Sequence, residues 1–204
     1  MTNENKKLLE KEIPELMKLR GQERAADTKY LIEYVKGKEG SEGYDKLIVE
    51  LKKFGFIVPD LSQANDTDWI SETVAHVFFI GACRVFDWNE EEIFKMGRGI
   101  MSFSKTLKIF VKYFYSPEKT IQKTADSWNK YFSYGRIKLL NFDAVKKEGL
   151  MELHDFKSHP LVCLYFSGIF SEILELATGS KKAMVKETKC MFGGNNCHEF
   201  KLSW

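Results

Sequence analysis

Apolar residues recur every three or four positions over most of the chain and every second position near its end. The first period predicts helices and the second predicts strands. Leu8, Leu9, Ile13, Leu16 and Met17 share helical spacing within Asn3–Leu19, which Pro14 divides or kinks. A second helix is predicted over Arg24–Lys36, with Tyr30, Leu31, Tyr34 and Val35 inward, and Gly37-Lys38-Glu39-Gly40 breaks it. Leu47, Ile48 and Leu51 give a third stripe over Tyr44–Phe54, ended by Gly55. Asp66 or Asp68 suits the cap of a helix reaching Phe86, with Ile70, Val74, Val77, Phe78, Gly81 and Val85 on one face.

The most regular stretch follows. Ile93, Met96, Ile100, Phe103, Leu107, Phe110 and Phe114 alternate by three and four, which predicts one long helix from Glu90 to Tyr115. Such a seam serves either as a core helix or as a dimer interface. Flanking charge pairs are not evident, which favours the core. Ser116-Pro117-Glu118 stops that helix and opens another, with Ile121, Ala125, Trp128 and Phe132 inward and Gly135 at its end.

The period then changes. Arg136–Phe142 and Leu150–Phe156 read as strands around a turn. Pro160 opens a helix whose face is Val162, Tyr165, Phe166, Ile169, Phe170 and Ile173, closed by Gly179. Lys181–Lys189 and His198–Trp204 read as an antiparallel pair, because Phe200, Leu202 and Trp204 alternate with Glu199, Lys201 and Ser203. The predicted class is α+β: helices packed on a small antiparallel sheet of strand-strand-helix-strand-strand order. The expected organisation is an N-terminal helical segment, 1–55, packed on a ligand-binding domain, 66–204.

Composition narrows the function classes. The chain has 204 residues, 44% hydrophobic and 29% charged, with sixteen Phe and a formal net charge of +2. That is enough for a sizeable core, and the balanced charge gives no case for nucleic acid. No run of about 18 apolar residues argues for a membrane span, and no secretory signal is visible. Four Cys do not suggest a disulfide scaffold, so the expected compartment is the cytoplasm, with thiols reduced.

The chemistry-bearing segment is Glu187-Thr188-Lys189-Cys190-Met191-Phe192-Gly193-Gly194-Asn195-Asn196-Cys197-His198. A hairpin brings Cys190 and Cys197 together, and Cys163 near the start of the preceding helix is able to lie over it. Glu187 precedes Cys190 by three, a spacing that puts the two on opposite strand faces unless the strand breaks or bulges near Thr188 or Lys189. Three thiolates and a carboxylate suit a closed tetrahedral zinc site. The competing reading is that each Cys is a small buried apolar residue. His198 is an alternative ligand to Glu187, but strand alternation turns it away from Cys197.

Glu187-x-x-Cys190, then Gly193 or Gly194, then Cys197-x-x-Phe200 resembles the terminal signature of the 4-vinyl-reductase domain family. Trp128-Asn-Lys-Tyr131, Gly135, and His159-Pro160-Leu161-Val162-Cys163 with Gly168 and Glu172 agree with it. The likeness covers Trp69–Trp204 and extends to a haem-nitric-oxide-binding-like bacterial family. It implies a superfamily that includes aromatic-responsive bacterial sensors, haem-nitric-oxide sensors and subunits of the TRAPP trafficking complex. Members take apolar ligands or haem between helices and sheet and often dimerise. In the aromatic sensors zinc is held at positions matching Cys163, Glu187, Cys190 and Cys197, although the last gap is a residue shorter here.

Other polar groups offer less. His76 lies near an apolar stripe, His159 suits a helix start, and His154 beside Asp155 invites a catalytic pair that strand alternation disfavours. No nucleophile elbow, P-loop or dinucleotide fingerprint is present. Phe103, Phe110, Trp128, Tyr165 and Phe166 are candidate pocket walls, against plain core packing for each. The expectation is a non-enzymatic sensor with a structural zinc ion, an apolar or aromatic ligand, a homodimer mate and a separate downstream signalling protein. The alternatives are a haem-based gas sensor using His76 or His154, an assembly adaptor, and a reductase-related enzyme.

Overall fold

A computed structural model of the chain describes residues 1–103 and 116–204, with side chains up to residue 100 and from residue 116 onward. These residues form two compact units, Met1–Asn89 and Glu90–Trp204. Residues 56–89 fall in the first unit, whereas the sequence placed the boundary between 55 and 66.

In the first unit, α1 (Asn3–Leu16) buries Leu9, Ile13 and Leu16, and the Thr2 hydroxyl accepts from the Asn5 amide at its start. The helix runs through Pro14 and ends two residues later, short of the expected Leu19. Ala25–Lys53 is α2, in which Gly40 adopts φ 73° and joins two helical pieces. The predicted break therefore falls on Gly40, where a residue without Cβ takes a left-handed backbone at little cost. Strands β1 (Gln22–Arg24) and β2 (Trp69–Ser71) pair antiparallel. Three residues each is too short for alternation to register, so the sequence did not reveal them. Ser71, rather than Asp66 or Asp68, caps α3 (Glu72–Val85), its hydroxyl accepting from the Thr73 amide at 3.2 Å. α3 packs against α1 and α2.

The second unit begins with α4 (Glu90–Phe103), which buries Ile93, Met96 and Ile100 as predicted. The rest of the expected long helix, including Leu107, Phe110 and Phe114, lies outside the described residues. α5 (Pro117–Asp126) starts at Ser116, whose hydroxyl accepts from the Lys119 amide, and buries Ile121 and Ala125. A single 3-10 turn, Trp128–Lys130, leads into β3 (Arg136–Asp143) and β4 (Glu148–His154). α6 (Pro160–Thr178) follows, then β5 (Met184–Lys189) and β6 (His198–Ser203). The sheet is antiparallel in the order β3-β4-β6-β5, so the last strand inserts between β4 and β5. The α+β class and the strand-strand-helix-strand-strand order are those the sequence predicts.

α6 is, among the described residues, a helix long and apolar enough to cross a membrane by length and composition, although no such run was expected. It is mostly buried, and a helix enclosed on several sides reads as apolar all round. One side meets the sheet, where the Ser171 hydroxyl accepts from the Val185 amide at 2.8 Å. The other meets α4 at backbone distance. A Cβ on Gly97 would lie 2.1 Å from the Tyr165 carbonyl oxygen, and one on Gly168 would lie 2.2 Å from that of Phe94. Arg98 on α4 also pairs with Glu172 at 2.9 Å and with Glu175, which Lys181 reaches as well.

Two outcomes follow from this contact. Gly168→Ala forces the helices apart and destabilises the second unit by about 1–3 kcal/mol, read from urea denaturation. Hydrogen bonds from Lys181 and Arg98 hold the Glu175 carboxyl below its ordinary value of 4.5. A depressed folded-state value adds stability that is present above 4.5 and is lost as pH falls through the folded value. The melting-temperature gap between wild type and Glu175→Gln should therefore close as the pH is lowered below that point.

Candidate functional site

Strand β6 decides which side chains meet. Its register partners on β4 are Leu153 for His198, Glu152 for Glu199 and Met151 for Phe200. His198, Phe200 and Leu202 are buried on the inner face beneath α6, while Cys197 and Glu199 belong to the outer face. On β5, Glu187 opposes Phe200 and Lys189 opposes Glu199, so the pairing skips Thr188. This irregularity and the 3-10 turn Met191–Gly193 carry Cys190 back to the Glu187 side. The bulge that a shared Glu187–Cys190 site requires is present.

The inner set is Cys163, Glu187, Cys190 and His198, whose ligand atoms all lie within 4.8 Å of one another. His198 is fully buried. Its Nε2 lies 2.7 Å from the Phe156 carbonyl oxygen, which only accepts, so Nε2 carries a proton. Its Nδ1 lies 2.7 Å from Glu187 Oε1 and 3.4 Å from Cys163 Sγ. A carboxylate facing a bare ring nitrogen needs a proton or a cation between them. Thiolate, carboxylate, thiolate and imidazole are donors of the kind that hold a divalent ion. Burial, and next the Glu187 carboxylate, push the Cys163 thiol up, so it stays protonated at neutral pH when no cation is bound.

Cys197 does not join this set. It lies within 4.8 Å of Glu152 and His154 on the outer face, and burial and the Glu152 carboxylate raise its thiol. The expected group of Cys163, Glu187, Cys190 and Cys197 is thus corrected, with His198 in place of Cys197. Alternation along β6 separated Cys197 from His198 in the sequence. What it lacked was the register that sends His198 inward.

The candidate pocket residues divide as well. Trp128 and Phe166 are buried with ring centroids 5.5 Å apart. Phe156 lies 6.0 Å from Trp128 and 5.2 Å from Phe166, and Phe132 stacks on Trp128 at 4.2 Å. Tyr165 is buried beside them on α6. The Phe103 side chain and Phe110 lie outside the described residues.

No family model and no curated protein matches the chain. Solved structures do. An H-NOX protein from S. oneidensis in the Fe(II)NO ligation state matches with a TM-score of 0.64 at 10% identity, over 88% of this chain and 98% of that one. Fe(II) unliganded H-NOX from K. algicida gives 0.60 at 7% identity, over 88% and 95%. A Cs H-NOX variant gives 0.58 at 15% identity, over 88% and 94%. The chain has the haem-nitric-oxide-binding fold. This agrees with the haem-nitric-oxide branch of the resemblance, while nothing in the comparisons supports the 4-vinyl-reductase name. It also overturns zinc as the main cofactor, since the matching structures are described by the ligation states of iron.

Each histidine already has a ring nitrogen engaged in the described arrangement. All four histidines are described. His198 is committed as above. His154 Nε2 lies 2.8 Å from Glu152 Oε2. His159 caps α6, its Nδ1 accepting from the Leu161 amide at 3.2 Å. His76 is buried in the first unit with its ring nitrogens 3.6 Å from the Glu23 and Glu72 carboxylates. An axial ligand offers a ring lone pair to iron. In each of these rings at least one nitrogen already faces a carboxylate, a carbonyl or a helix start, so iron would have to use the other nitrogen or displace that contact. His154 and Asp155 do not act together, because Asp155 turns to Arg136 at 3.2 Å.

Thiol chemistry tests the placement. Iodoacetamide on the folded protein should label Cys190 first. Cys83, whose thiol burial raises, and Cys163 should react at least about tenfold more slowly until denaturant is added, as peptide mapping reads.

Proposed function

We propose that the chain is a small-molecule sensor domain, not an enzyme, and that an apolar or aromatic ligand is taken against the cluster around Trp128 and Phe166. The observation carrying this reading is the shared fold over nearly the whole length of domains named for their ligation states. That supports a ligand-responsive module of the haem-nitric-oxide type over a domain organised by zinc. The aromatic cluster supplies an apolar wall, and α6, which presents Tyr165 and Phe166, also carries Cys163 of the inner set. Ligand uptake would therefore be felt at α6 and at the strands beneath it. A homodimer and a separate protein that reads the ligand state belong to the same proposal.

The second reading is a haem-based gas sensor, favoured by the iron states in the neighbours' names. Its difficulty is that every histidine already turns at least one ring nitrogen to a neighbouring group. Naphthalene and haemin separate the two readings. Calorimetry should show naphthalene binding at one per chain, weakened about tenfold by Phe166→Leu, which removes roughly 1.4 kcal/mol of contact. Haemin should give no sharp Soret band at one equivalent. Failure of the folded protein to bind naphthalene would sink the apolar-ligand reading. A stoichiometric Soret band that shifts with nitric oxide and is lost in one His→Ala variant would replace it with the gas sensor.

A further inference from the structure

The outer face of the sheet carries three metal-ligating side chains that the inner set and the aromatic cluster leave unused. Glu152 and His154 stand two apart on β4 and so share a face. Cys197 precedes His198, whose register partner is Leu153, so the next position outward sets Cys197 against His154. One donor atom from each of the three lies within 4.8 Å of the others. The side chains of His154 and Glu152 are 21% and 19% exposed and Cys197 is 8% exposed, so the group is held by the sheet yet open to solvent on one side.

We propose that Glu152, His154 and Cys197 form a binding site for a divalent first-row transition-metal ion, with water in the remaining coordination positions. Binding releases the Cys197 thiol proton to solvent, and the proton between His154 Nε2 and Glu152 passes to solvent from a charged ring or to Nδ1 in a neutral one. The ion then takes one bond each from thiolate, imidazole Nε2 and carboxylate. Thiolate and imidazole select later transition metals over magnesium and calcium.

The surroundings sharpen that choice. Lys138 and Arg136 oppose Glu152 and His154 on β3, and Lys189 lies near Cys197. Arg136 is paired with Asp155, and Lys189 with Glu199 at 2.6 Å. These cations repel a dication held by charge alone. They oppose far less an ion bonded directly to sulfur and nitrogen. The site is separate from the inner set because alternation along β6 puts Cys197 and His198 on opposite faces. It stands independently of the sensor reading.

Cobalt(II) alone is the probe, because a thiolate ligand gives it a near-ultraviolet charge-transfer band. Wild type, Cys197→Ser, His154→Ala and Cys190→Ser are titrated, with circular dichroism confirming the fold of each. Cys190→Ser removes a donor of the inner set only. The expected result is a band that persists in Cys190→Ser and weakens at least about tenfold in affinity in both Cys197→Ser and His154→Ala. Millimolar magnesium should leave it unchanged. No band in wild type, a band lost only in Cys190→Ser, or displacement by magnesium overturns the proposal.

Discussion

The antiparallel insertion of β6 between β4 and β5 is the constraint on which the second unit depends. Strand side chains alternate with a period of two, so fixing one register pair fixes the face of every residue along the strand. Pairing His198 with Leu153 sends His198, Phe200 and Leu202 beneath α6 and leaves Cys197 and Glu199 outside. A slip of one residue would exchange the two sets and bury Glu199 in place of Phe200. The buried Phe200, packed edge-on against Phe170 at 5.2 Å, opposes that slip.

α6 turns this register into a site. Its Cys163, Phe166 and Phe170 face the inner sheet and the aromatic cluster, and Gly97 and Gly168 let α4 approach it at backbone distance. So close a contact leaves little slack. Packed interiors transmit a shift of one element to its neighbours. The same helix therefore touches the apolar wall proposed for the ligand and the buried Cys163–His198 contact.

The fold and the cofactor are separate matters here. A shared chain path with haem-nitric-oxide-binding domains fixes where helices and strands run. It does not place a lone pair where iron needs one, and at 7–15% identity the side chains are free to differ. The expectation of zinc fails in a similar way. It rested on donors near a hairpin and on a resemblance to zinc-holding sensors, whereas the matching structures are described by iron and Cys197 lies on the other face.

Much of this was legible from residue order alone. Stripes at Ile93, Met96 and Ile100 and the alternation of Phe200, Leu202 and Trp204 disclosed elements, because burial on one side imposes a period. Ser116-Pro117-Glu118 and His159-Pro160 disclosed helix starts, because a helix end leaves amides for a cap to satisfy. The short β1–β2 pair carried no such period and stayed hidden. Residue order also showed that Cys197 and His198 face opposite ways, since that follows from adjacency. Which of them lies inside did not follow. That was decided by the pairing of β6 with β4 and by the skipped residue on β5, contacts between segments distant along the chain whose offset no local pattern records.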